Sequence, residues 1–423
     1  MTGPASVLIL QGPLGPFYGR IAGHLAEAGA QIVRVNLSGN DIADWPRTAP
    51  GDVIDYDGSL DDWPVFLDQV LAPRAPDVVL MHGDRRPYHK AAVQWAEAQG
   101  ADVLVTELGY LRPDWMVAEW GGTSALSRFP VDPDEIRRIA ATSPEIDFTP
   151  RWPGSTWPIV LGELRFTLFN ALGRRRFPFY ASHRSMPPSR VYTGWLAGRA
   201  RSMLRGAPRP LPDAPRFVFA LQLEGDFQLR DHSPFAGVAA TVDHVVQSFA
   251  DKAPGGSVLV LKPHPHEFAR SQLLASIEIA RTRHGLGDRM VVVEDQSITA
   301  LCAGALGFVT VNSSAGIEAL ATGCPVHCIM PTIYDVPGLT HQGGLDAFWS
   351  DAAAPDADLF HGYRRAVAVA LQVRGTIYDR EGCRTAAHAV AERIMTRCAS
   401  KAGALGPSRH RLAKAAAMGV TYD

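Results

Sequence analysis

The chain is short of cysteine, of long apolar runs and of net charge. Five cysteines stand among 423 residues, all from Cys302 onward, and none forms a CxxC pair. Cys324 and Cys328 share a CxxxC spacing, but no second pair completes a zinc site. Reduced thiols in a cytosolic protein are expected rather than a disulfide framework. No stretch reaches the ~20 apolar residues of a membrane span. Ala319 to Met330 is short and holds a His and a Pro, and Trp157 to Leu172 is interrupted by Glu163 and Arg165. The opening "MTGPASVLILQGP" has no basic region before its apolar run, so it reads as the approach to a first strand and not as a signal peptide. A net charge of -2 and the want of an interleaved basic and aromatic platform argue against nucleic acid as a partner. Acid is missing most visibly in one place. From Arg174 to Pro210 there are nine arginines and no Asp or Glu. An anionic lipid surface, an anionic substrate or a solvated basic face would each account for that run.

What is present has a rhythm. "SVLILQ", "AQIVRVNLSG", "PDVVLMHGD" and "ADVLVTELG" read as buried strands, with "FYGRIAGHLAEAG" and "HKAAVQWAEAQG" as helices between them. Strand, helix, strand in this order means βαβ units and a parallel sheet. The stretch from about 132 to 205 is rich in Pro, Trp and Arg and mostly helical in period, a basic insertion in an N-terminal Rossmann-like domain spanning 1–205. "GAPRPLPDAP", 206–215, reads as a linker. The rhythm then resumes over 216–355: "RFVFALQLEGD", "SVLVLKPHP", "RMVVVED", "LGFVTVNSS" and "CPVHCIM" are strands, alternating with helical segments. Residues 356–423 read as a helical tail. The expected fold is α/β and GT-B-like, two Rossmann-type domains with a cleft between them.

Ligands of such sheets bind beyond the carboxyl ends of the strands, so chemistry is sought there. In "LQLEGDFQLRDHSPF", Glu224 and Asp226 lie two residues apart, where an extended segment turns both carboxylates one way. Paired carboxylates hold different pKa values and so take acid and base roles; a turn with solvated acids is the plainer alternative. "VLVLKPHPHE" ends a strand in a stiff turn carrying Lys262 and His264, a cation and an imidazole suited to a phosphate. His264 with His266 as metal ligands lacks companions, and a histidine capping the turn is the structural alternative. "VTVNSSAGIEAL" places Ser313 and Ser314 at a helix start, where hydroxyls and free N–H groups receive an anion. Glu318 follows a turn later, within reach of ribose hydroxyls. An ordinary serine N-cap is the alternative there. Gly12, Gly15 and Gly19 follow the first strand without the GxGxxG spacing of a dinucleotide site. Neither a metal nor a cofactor is called for.

The ordered set of three strand ends resembles bacterial sialyltransferases and other transferases of CMP-activated keto sugars, whose HP and SS motifs help bind the CMP phosphate. Here the acidic motif reads acid-Gly-acid rather than acid-acid-Gly. A closer resemblance spans most of the chain. "LILQGPLGPFYGRIAGHLAEAGAQIVRVNLSGND", "ELGYLRPDW", "SHR" at 182–184, "LQLEGDFQLRDHSPF", "PTIYDVPGLTHQGGLDAFW" and "LQVRGTIYD" are similar to the KpsS/LipB-type capsule polysaccharide proteins. That resemblance implies a retaining β-Kdo transferase of a Gram-negative cell. It would move Kdo from CMP-Kdo to phosphatidylglycerol or a similar anionic lipid, starting the poly-Kdo linker of a capsular polysaccharide. It would work in the cytoplasm at the inner face of the inner membrane, beside the capsule assembly machinery. On this reading Lys262, His264, Ser313, Ser314 and Glu318 bind the donor. Asp226 is the first choice for nucleophile or base and Glu224 the second, with Glu107 as acid/base across the cleft. Gly12, Gly15, Arg20, Arg112, His183, Arg184 and His341 face the acceptor, and the arginine run meets the lipid headgroup. The alternatives are another CMP-sugar transferase, such as a sialyltransferase, and a non-catalytic component of capsule assembly or export.

Overall fold

Val7 and Ile9 turn to one face of the first strand, Leu8 and Leu10 to the other, and all four are buried. A strand covered on both faces has no polar side, which is why it reads as a continuous apolar run. This strand, β1 (Ser6–Ile9), pairs in parallel with β2 (Gln31–Asn36) and β4 (Val78–His82). β3 (Asp52–Asp55) lies beyond β2, and β5 (Asp102–Leu108) beyond β4, also in parallel. β6 (Trp115–Trp120) turns back against β5, and β12 (Gln372–Arg374) adds an antiparallel edge. The order is therefore β12-β6-β5-β4-β1-β2-β3. The computed structural model describes residues 5–152, 157–184, 187–204, 211, 213–225, 227–265, 267, 269–400 and 409–422.

The second sheet is wholly parallel. β7 (Arg216–Ala220) is central, flanked by β8 (Val258–Lys262) and then β9 (Met290–Val292) on one side. β10 (Gly307–Thr310) and then β11 (Val326–Cys328) lie on the other. The helix Val238–Lys252 covers it through Val238, Val242, Val245, Val246 and Phe249, the spacing of one helical face. Phe217 and Phe249 meet Trp349 edge-on at 5.0 and 5.3 Å. Each sheet holds the doubly wound order in which the first strand sits at the centre and the direction of winding reverses beside it. Two Rossmann-type units in one chain make the α/β, GT-B-like class expected from the sequence.

The units divide the chain otherwise than the linear boundaries suggest. One comprises Met1–Phe129, Pro144–His183 and Val367–Pro407; the other comprises Pro130–Ser143, Arg184–Ala366 and Ser408–Asp423. The expected tail is shared between them, for identifiable physical reasons. The helix Arg380–Ser400 puts Cys383, Ala386, Ala387, Val390, Ala391 and Ile394 into the same core as Phe17, Ile21 and Leu25 of the helix Phe17–Glu27. Arg397 grips Asp102 of β5 through two bonds of 2.8 and 3.0 Å. The last helix, Arg409–Ala417, belongs to the second unit because its fully buried Arg411 donates to the carbonyls of Thr332 and Ile333. Lys414 adds an ion pair with Asp335 at 2.6 Å. The linker 206–215 falls largely outside the described residues.

Candidate active site

In the second unit the winding reverses between β7 and β10, the place where such sheets take ligands. Gln222, two residues past β7, donates its amide to Asn312, two residues past β10, at 2.9 Å. Both side chains are buried. The amide oxygen of Gln222, Oε1, is buried with no hydrogen-bond partner among the described residues. A buried acceptor of this kind is costly unless a donor reaches it. Neither residue stands out in the sequence, because a single Gln or Asn after a strand carries no pattern.

The three strand ends singled out from the sequence lie on adjacent strands, β8-β7-β10, about 5 Å apart in turn. At β10, the Ser313 hydroxyl accepts from Ala315 N at 3.3 Å, and its backbone carbonyl receives the Tyr334 hydroxyl. Ser314 stands at the N-cap of the helix Ala315–Leu320 and makes no side-chain cap bond there. That helix has only six residues, so its dipole adds little and the two hydroxyls are the main polar offering. Glu318 is exposed on it. Gly316 admits Tyr334: a Cβ there would lie 2.6 Å from ring carbon Cε2. Gly316→Ala should destabilise the protein by about 1–3 kcal/mol, seen as a lower urea midpoint.

At β8 the expectation changes. Lys262 is buried, and its ammonium donates to the Glu294 carbonyl at 2.6 Å. It thus ties β8 to the loop after β9 and biases the edge positively from below. His264 is half-buried, and its carbonyl accepts from Glu267 N at 3.0 Å. Glu267, unremarked in the sequence, is a buried hub. Its carboxylate accepts from Ala269 N at 2.7 Å and from Glu224 N at 3.4 Å, joining the ends of β7 and β8.

Glu224 is also held by the fold. Its carboxylate accepts from Val238 N at 3.0 Å, capping the helix Val238–Lys252, where a negative charge meets the positive end of the dipole. Gly237, at φ +147°, leaves the room: a Cβ there would collide with Glu224 Oε1. Asp226 lies outside the described residues.

The first unit reverses between β1 and β4, and a buried polar network fills that place. Gln11 donates to Asp41 at 3.2 Å and to the Tyr180 hydroxyl at 3.1 Å, and receives Arg86 at 3.2 Å. Arg86 also donates to the Gly12 carbonyl at 3.0 Å. Arg34 completes the network through an ion pair with Asp41 at 3.0 Å. Gly12 permits the close approach of Tyr18, and Gly15 sits at φ +93°. Thr106, at the end of β5, meets the Tyr18 hydroxyl at 2.8 Å and His82 at 3.0 Å. Its neighbour Glu107 is half-buried, with its carboxylate beside Gly83.

The other expected acceptor residues lie on separate elements of the two units. Arg20 lines a groove of ≈ 530 Å³ with His24, Arg384 and His388, and its Nε is buried without a partner among the described residues. Arg112 belongs to the β5–β6 hairpin turn and donates to Gly109 O at 3.2 Å. His183 stacks edge-on to Phe166 at 5.6 Å and closes the first unit's middle segment, whereas Arg184 opens the second unit's. His341 sits at the opposite edge of the second sheet from the donor-site strand ends. Its N–H donates to Val326 O at the start of β11, and its ring packs on His327 and Phe348 at 5.6 and 5.4 Å. Among the described residues no group of His, Cys, Asp or Glu is placed to hold a metal ion.

The fold and the strand-edge site define a class of two-unit α/β proteins with polar sites at the carboxyl edges of their sheets. The particular family follows from sequence comparison. The profile of the family described as capsule polysaccharide biosynthesis protein matches residues 77–378, and this chain belongs to that family. It is 32% identical over 380 residues to the capsule polysaccharide export protein KpsS of Escherichia coli, covering 88% of this chain and 96% of that one. It is 28% identical over 390 residues to the capsule polysaccharide modification protein LipB of Neisseria meningitidis serogroup A, covering 89% and 92%. The solved β-Kdo 2,7 transferase KpsC of Thermosulfurimonas dismutans overlaps 92% of this chain and 99% of its own at 14% identity, with a TM-score of 0.41. That overlap is too loose to transfer residues or substrates.

Proposed function

We propose that this chain is a retaining β-Kdo glycosyltransferase. It would move Kdo from CMP-Kdo to phosphatidylglycerol or a similar anionic lipid at the inner face of the inner membrane, starting the poly-Kdo linker of a capsular polysaccharide. Membership of the capsule polysaccharide family supports the setting. The observation that carries the reading is the Gln222–Asn312 bridge at the reversal point, with the β7, β8 and β10 ends on one edge around it. In this reading His264 and the Ser313 and Ser314 hydroxyls contact the CMP phosphate, and Lys262 lends positive potential from beneath. Glu318 and the open Gln222 oxygen take hydroxyl or amino donors of the nucleoside. The Asp226 carboxylate attacks the anomeric carbon as CMP leaves, and an acceptor hydroxyl then displaces the carboxylate, so two inversions give retention. Glu107 takes the acceptor's proton in this reading.

The test is purified protein with CMP-Kdo and phosphatidylglycerol vesicles, followed by mass spectrometry of the lipid, with CMP-sialic acid run beside it. A lipid heavier by one Kdo, lost in His264→Ala protein that still folds, is expected. A product from CMP-sialic acid alone would transfer the reading to a sialyltransferase. A second reading, a non-catalytic part of capsule export, draws on the "export" in the name of the Escherichia coli relative. The structural bonds that occupy Lys262 and Glu224 favour it. It expects lipid binding with no CMP release.

A further inference from the structure

The helix Trp157–Leu172 carries an exposed apolar stripe. Trp157, Leu161, Leu164, Leu168 and Leu172 are 48–69% exposed. Spaced by four, three, four and four residues, they form a stripe about 80° wide at ~100° per residue. The opposite face is fixed to the first unit. Phe166 is buried, Gly162 lies against Leu14, and Asn170 Oδ1 accepts from Asn40 N at 3.0 Å. Arg165 donates to Ala43 O at 3.0 Å. Gly39 lets the two backbones touch beside Phe169. The helix is thus clamped with its apolar side outward, and the stripe is no accident of a loose segment.

Charge decides what would cover it. The helix runs directly into Arg174, Arg175 and Arg176, all exposed, and Phe179 beyond them is 63% exposed. Arg176 pairs with Asp55. No Asp or Glu occurs from Arg174 to Pro210. A second copy seated on this face by two-fold symmetry would bring like charges together. An anionic bilayer matches both features: the acyl boundary accepts leucines and a tryptophan, and the headgroups accept arginines. Among the described residues no helix is long and apolar enough to cross a membrane, and one of 16 residues, about 24 Å long, suits lying in the interface.

We infer that the Trp157–Leu172 stripe, with Arg174, Arg175 and Phe179, is a membrane-docking surface for anionic phospholipid. The inference deepens the lipid-acceptor reading above and rests on it for its purpose. Its test does not use a nucleotide sugar. The full chain is floated with phosphatidylcholine vesicles, with and without phosphatidylglycerol, at low and high salt. Wild type should float with the anionic vesicles and be released by salt. Leu161→Gln/Leu164→Gln/Leu168→Gln should lower partitioning more than tenfold, while the three Leu→Met changes keep it. Arg174→Gln and Arg175→Gln should each lower it about fivefold on anionic vesicles only.

Flotation that survives the three glutamines overturns the inference, as does wild type that stays with the soluble fraction. A dimer lost in the glutamine variant, without flotation, would give the stripe to a second copy and also overturn it. Wild type that floats by the stripe yet transfers no Kdo would sink the proposed activity and leave this inference standing.

Discussion

Asp226→Asn should lower Kdo transfer about a thousandfold or more, while Glu224→Gln should stay within about tenfold of wild type. The two acids share one short motif, so the sequence leaves their roles exchangeable. The surroundings of Glu224 separate them. Its carboxylate is committed to Val238 N and stands against Gly237, so its loss falls on the helix cap and costs about 1 kcal/mol of stability. In the proposed mechanism Asp226 forms the bond to the anomeric carbon, so its amide should also abolish CMP release in the absence of acceptor. Initial rates and urea midpoints measured on the same preparations decide it. A Glu224→Gln protein with an unchanged midpoint and a thousandfold loss of rate would exchange the roles.

Acidification should destabilise the protein through His89 by about 4–5 kcal/mol between pH ~6.5 and ~3. His89 is fully buried; burial, and then the Arg86 charge, push its imidazole down to about 3 from an ordinary 6.5. One ring nitrogen, Nδ1, meets the Gly83 carbonyl at 2.6 Å, and Nε2 has no partner among the described residues. A second proton would therefore bury an unpaired charge. The folded-state value is depressed, so above pH ~6.5 both states are neutral and nothing is lost. Between 6.5 and 3 only the unfolded chain takes the proton, and stability falls as pH falls. Below 3 the penalty is complete. Carboxylates and His327, also pushed down to about 3 by burial, titrate over an overlapping range. The measurement is accordingly the difference in urea midpoint between wild type and His89→Gln across pH 7 to 3.5. That difference should shift steadily with pH, and a constant difference would refute the assignment.

The sequence displays the strands buried on both faces, and also the short edge strands β9 and β11, whose own apolar runs remain legible. β1, β4, β7, β8 and β10 sit near sheet centres, where pattern and burial agree. β3, β6 and β12 were not legible. β3 reads "DVID" and lies on an edge with exposed residues. β6 returns antiparallel after the loop Gly109 to Asp114, and β12 is three residues long. A strand without an apolar run of its own, such as β3 or β12, takes its identity from the neighbour it pairs with.

Chemistry-bearing residue types and their order along the chain were set by sequence: an acidic turn, an HP turn and a serine pair, each after an apolar strand. So were the α/β class, the family and the acid-free arginine run. The tertiary structure alone decided which polar groups are used up by the fold. It gave Lys262 to a carbonyl, Glu224 to a helix end and His341 to the far edge of its sheet. It also gave the helix Arg380–Ser400 to the first unit and aimed the Trp157–Leu172 leucines outward. The reason is physical. A side chain's type fixes what it can bond to, but burial and hydrogen bonding depend on partners tens to hundreds of residues away, and only packing brings those partners into reach.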